Sequence, residues 1–141
     1  MKIKDLKVFI VGNPPPGFGG RYFTFVKLTT DTGIVGIGEC YCATFGPKAM
    51  TAMIEDTFGR YVEGMDPFHI ESLWRKVYGS GFTQRPDVSL MGVLSGIEIA
   101  LWDIIGKSLN KPIYELIGGR VHEKLRSYTY IYPDLAKGQD D

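Results

Sequence analysis

The chain is predicted to fold as an α+β domain, a three-stranded antiparallel meander followed by a helical bundle. Three observations predict it. Up to Cys40 the sequence runs in β-branched and aromatic stretches broken by glycine-rich connections. At Pro47 the spacing of apolar residues changes to the helical period. All the strand-like stretches precede the helix-like ones, the segregated order of an α+β fold.

The elements follow in order. Residues 3–11 are rich in Val, Ile and Phe, and after the break at 12–20 a second run, 22–30, has the same character. Both read as strands. Asp31-Thr32-Gly33 has turn chemistry, so 34–39 is expected to return as the second arm of a hairpin. From Pro47, a residue suited to a first helical turn, Met50, Met53, Ile54 and Phe58 mark one helix. Asp66-Pro67 is expected to start a second, with Asp66 as N-cap and Ile70, Leu73, Trp74 and Val77 on one stripe. A third spans 89–109, where Leu90, Val93, Leu94, Ile97, Leu101, Ile104 and Ile105 form a broad apolar face and Ile99 and Trp102 extend it. Lys111-Pro112 stops it, 113–117 adds one turn, and Gly118-Gly119 ends that turn. Residues 125–131 again read as a strand, one without sheet partners.

Composition narrows the function. The chain has 141 residues, 44% of them hydrophobic, which suits one core of ordinary size. Sixteen basic residues balance sixteen acidic ones and are interspersed, so neither a nucleic-acid nor an anionic-membrane footprint is expected. Small molecules or other protein chains remain as partners. Cys40 and Cys42 are two apart on an expected strand, share a face and do not bridge each other, which fits a reducing cytoplasm. The start lacks a signal-peptide core, and no run is read as approaching the roughly 20 apolar residues of a membrane span. A cytoplasmic location is expected.

The stretch Ser95-Gly96-Ile97-Glu98-Ile99-Ala100-Leu101-Trp102-Asp103-Ile104-Ile105-Gly106-Lys107, with Pro112, Leu116, Gly118 and Gly119, closely resembles the signature of the mandelate racemase and muconate lactonizing branch of the enolase superfamily. Val93 stands where alanine is usual, and Glu98 where aspartate is commoner. The hairpin from Thr30 to Glu39 resembles the same family at the right distance upstream. The resemblance implies that residues 1–119 are an enolase-like N-terminal capping domain. Residues 120–141 are then a linker and the first strand of a (β/α) barrel that is otherwise absent, since a barrel needs roughly 200 residues or more. It further implies an enzyme that removes the proton α to a carboxylate, with Mg²⁺ as cofactor. A sugar-acid dehydratase is favoured, a racemase, epimerase or cycloisomerase being the alternative, and a non-catalytic binding or dimerisation module the alternative outside catalysis. The substrate is then a small carboxylic acid, a sugar acid, and the assembly a homo-oligomer. The family's metal ligands and bases have no counterparts in this sequence, so neither catalytic nor metal residues are assigned to the chain, and alone it is expected to be inactive.

Several residues compete for functional roles with plainer structural ones. Glu98 and Asp103, five apart, are not stacked on a helix, whereas Asp103 and Lys107 are, which favours structural pairing. The glycines from Gly33 to Gly38 interrupt a strand and do not lead into a helix, against a phosphate loop. His69 and His122 lack companions at metal-ligand spacing. The segment 13–21, Asn-Pro-Pro-Pro-Gly-Phe-Gly-Gly-Arg, carries more information: in the resembled family this loop folds over the active site, so Phe18 is expected to exclude water and Arg21 to hold a carboxylate or hydroxyl. Tyr41 and Phe45, after the third strand, belong to a second lid candidate, and Arg85 to a third, between helices.

Overall fold

The computed structural model describes residues 1–41, 45–82 and 87–131. Its strands are β1 (Ile3–Gly12), β2 (Tyr22–Thr30) and β3 (Val35–Cys40), paired antiparallel in the order β1-β2-β3. Alternation sets the faces. Along β2, Thr24, Val26, Leu28 and Thr30 are buried, opposite Cys40, Gly38 and Gly36 of β3 for the first three. Helices cover this face: α1 (Pro47–Thr57), α2 (Ile70–Ser80), α3 (Val88–Leu109) and the short α4 (Ile113–Leu116). The core lies between β2 and α3, with Val26, Leu28, Ile54, Val77, Leu94, Ile97, Leu101 and Ile104 out of contact with water.

The glycines of β3 explain how closely α3 lies on the sheet. A Cβ at Gly36 would overlap the carbonyl oxygen of Ala100, and one at Gly38 that of Gly96. On the helix side, a Cβ at Gly96 would run into Cys40 Sγ. These glycines are a close-packing device between strand and helix, in keeping with the reading against a phosphate loop.

Four elements differ from expectation. The first helix does not close in α geometry but passes into a π turn, Phe58–Val62, where Glu63 N donates to Phe58 O at 3.0 Å. Asp66 does not cap the second helix: its Oδ1 accepts from Phe68 N at 3.1 Å in a preceding turn, and α2 begins at Ile70. The carboxylate is committed to that turn, four residues before the first residue of the helix. The run 125–131 joins no ladder and lies exposed, Ile131 wholly so, because no described strand runs beside it. Finally, α3 is by length and composition apolar enough to cross a membrane, contrary to the reading of the sequence. About half of it is buried, because one side is the core of this fold. Its ends follow known rules: Asp87 Oδ1 accepts from Ser89 N and Leu90 N at 3.0 and 3.1 Å, and Asn110 closes the other end in the left-handed region at φ 51°.

Candidate functional site

The loop joining β1 to β2 is held from within. Asn13 Nδ2 donates to the carbonyls of Phe18 and Gly20, both at 2.8 Å, and Asn13 N donates to Arg21 O at 2.9 Å. Gly17, Gly19 and Gly20 take positive φ, which lets the chain fold back over so few residues. Tyr22, the first residue of β2, reaches across and donates its hydroxyl to Phe45 O at 2.9 Å. That bond ties the loop to the segment after β3.

Between them lies a cleft of about 520 Å³. Arg21, Tyr41 and Phe45, three of the residues expected to bind substrate, line it together with Tyr22, Thr24 and Glu39. Phe18 does not line it; the residue sits on the loop, 42% exposed. Arg85 lies outside the described residues, as does Cys42. Tyr22, Thr24 and Glu39 are the residues that sequence reasoning missed. Their signal was the strand period itself, which carries β2 and β3 side chains to the end of the sheet where the loop opens. Thr24 is 1% exposed, and its hydroxyl has no hydrogen-bond partner among the described residues.

Chemically the cleft suits binding. It offers a guanidinium for an acid group, a carboxylate and phenols for hydroxyls, and aromatic surface for the apolar face of a polyol. Among the described residues no group of three or more His, Cys, Asp or Glu side chains could hold a metal ion, so the Mg²⁺ implied by the resemblance finds no ligand set there.

Asp103 and Lys107 have the structural task expected of them. Asp103 Oδ2 accepts from Ile37 N at 2.9 Å and from Lys107 Nζ at 2.6 Å, and Lys107 Nζ also donates to Val35 O at 2.8 Å. Together they bond the outer edge of β3. Glu98 accepts from Trp102 Nε1 at 2.8 Å and pairs with no other acid.

The family model described as mandelate racemase / muconate lactonizing enzyme, N-terminal domain, matches residues 18–118. D-galactonate dehydratase of Klebsiella pneumoniae is 40% identical over 110 residues, 78% of this chain and 28% of that protein. The D-galactonate dehydratase family member RspA of Cellvibrio japonicus is 39% identical over 142 aligned positions, 99% of this chain and 32% of that protein. Among solved structures, a mandelate racemase/muconate lactonizing enzyme from Sulfitobacter is 59% identical with a TM-score of 0.90, covering 94% of this chain and 34% of that one. The chain thus spans about a third of the length of these relatives.

Proposed function

Because the chain belongs to the mandelate racemase and muconate lactonizing enzyme family, through its N-terminal domain, we propose that it is the capping part of an enzyme that removes the proton α to the carboxylate of a sugar acid, dehydration being the overall reaction. The observation that carries this reading is the cleft between loop 13–21 and the segment after β3, with a cation and aromatic groups on its wall. The names of the curated relatives favour dehydration over racemisation or cycloisomerisation.

In this proposal residues 1–119 are the cap, and residues 120–141 are the linker and first strand of the (β/α) barrel that the family resemblance implies. Mg²⁺ and the acid–base residues are assigned to that barrel, where the metal supplies charge stabilisation when bound. The chain's own residues bind and exclude. Arg21 holds the acid or a hydroxyl through its planar donors, Tyr41 and Phe45 cover the substrate, Phe18 approaches it as the lid closes, and Arg85 is a further proposed substrate contact.

The test is steady-state kinetics of a full-length protein containing this chain, over a panel of acid sugars that includes D-galactonate. Arg21→Ala is expected to lower kcat/KM roughly ten- to a hundredfold, the loss of one charge-assisted hydrogen bond. Phe18→Ala should weaken several substrates together. If both variants stay within about twofold for every substrate turned over, the loop is only a connection.

A further inference from the structure

We propose that two copies of this chain associate by pairing their β1 strands antiparallel about a dyad at Phe9, joining two three-stranded sheets into one. The free edge of β1 dictates the register. Asn13 N donates to Arg21 O, which fixes the phase of the β1–β2 ladder. By alternation, Val11, Phe9 and Lys7 turn their backbone groups toward β2, and Gly12, Ile10, Val8 and Leu6 turn theirs outward.

At its start the same edge is occupied: Ile3 N donates to Met65 O at 2.9 Å and Gly64 N to Ile3 O at 2.8 Å. Among the described residues nothing comparable meets the outward groups of Leu6, Val8, Ile10 and Gly12. Side chains there are bare on both faces. Phe9 and Val11, on the face away from the helices, are 37% and 46% exposed, and Ile10, on the helix face, 48%. The strand carries neither proline nor a bulge along this stretch, two devices that keep edges single.

The free stretch is symmetric about Phe9, and this makes a second copy the fitting occupant. In that register Val8 exchanges hydrogen bonds with the partner's Ile10, and Leu6 with the partner's Gly12. Phe9 faces the partner's Phe9 across a non-hydrogen-bonded pair, where side chains are closest. The charges agree with this placement. Lys7 falls opposite the partner's Val11 and Asp5 opposite the partner's Asn13, whereas a dyad at Lys7 would set two ammonium groups face to face. Lys7 Nζ already lies 5.2 Å from the centroid of its own Phe9 ring, so in the pair two cations flank two rings.

Sedimentation equilibrium of the 141-residue chain at micromolar concentration is expected to give a dimer. Ile10→Pro removes an outward N–H and leaves the β1–β2 ladder whole, so it should weaken association roughly tenfold or more while circular dichroism stays native. Phe9→Cys provides a second readout should that variant unfold. Cα atoms of a non-hydrogen-bonded pair lie about 4.5 Å apart, within disulfide reach, so mild oxidation should cross-link it. Val11→Cys, some 13 Å from its symmetry mate in this register, should cross-link no more than the parent chain, which controls for Cys40 and Cys42. A monomeric parent chain, a dimer that survives a folded Ile10→Pro, or equal cross-linking of the two cysteine variants would each overturn the proposal. The first of these would leave the edge to a strand from elsewhere.

Discussion

A single carboxylate, Asp103 of α3, is tied to the amide of Ile37 on β3, to the ammonium of Lys107 and, through that ammonium, to the carbonyl of Val35 on the same strand. Asp103→Ala leaves the exposed Ile37 N–H to water and should cost about 0.5–1.5 kcal/mol in urea unfolding. Asp103→Asn keeps an acceptor and should cost less. The ion pair itself is half exposed on the lysine side and is expected to contribute no more than about 1 kcal/mol in a double-mutant cycle. Glycines divide just as clearly. Gly38→Ala drives a methyl into Gly96 O and should destabilise by about 1–3 kcal/mol or more. Gly79→Ala, inside α2 with open space around it, should stabilise by about 0.5–1 kcal/mol. At Lys111, the hydrogen bond from its ammonium to Glu115 at 2.9 Å, and the attraction of that carboxylate, raise the pKa above the ordinary lysine value. The sign follows: the contact is complete below the ordinary lysine pKa of about 10.4 and fades as pH rises through the raised value. NMR titration of the Lys111 side chain should therefore lie above that of free lysine, and Glu115→Gln should bring it back.

Elements whose signal is local were readable. The glycine-rich hairpin, the third helix and the turn after Pro112 appear where the period placed them, because propensity, period and stop signals agree there. The π turn was hidden: Ile54 and Phe58 are four apart as in any α-helix, and the extra residue shows only in the burial of Thr57 and Val62, five apart. Asp66 misled because a side chain that caps helices also caps turns. The candidate site was half legible. Prolines, glycines and aromatics announced the loop, but the Tyr22–Phe45 bond joins residues 23 apart through a backbone carbonyl, which leaves no mark in sequence. The loop's rigidity can be tested on its own. Asn13→Ala removes the two side-chain bonds to the carbonyls of Phe18 and Gly20, so amides from Gly17 to Arg21 should exchange faster with solvent, while global stability shifts by about 1 kcal/mol or less.

At the scale of the molecule, the chain carries the domain that matches the family and about a third of the relatives' length. Purified alone it is expected to turn over no sugar acid, and calorimetry should find no Mg²⁺ site tighter than about millimolar, since hard cations need several converging oxygens. Metal-dependent turnover of D-galactonate by this chain would defeat that expectation. The two edges of the sheet are unequal, and the inequality governs growth. Asp103 and Lys107 occupy Ile37 N and Val35 O on the edge of β3 and so obstruct strand addition there, and a sheet that adds a neighbour along β1 is expected to stop at two. Opening the second edge would turn a molecule that pairs into a monomer unit for polymerisation, and concentrated solutions of Asp103→Ala would then thicken into ribbons where the parent chain stays clear.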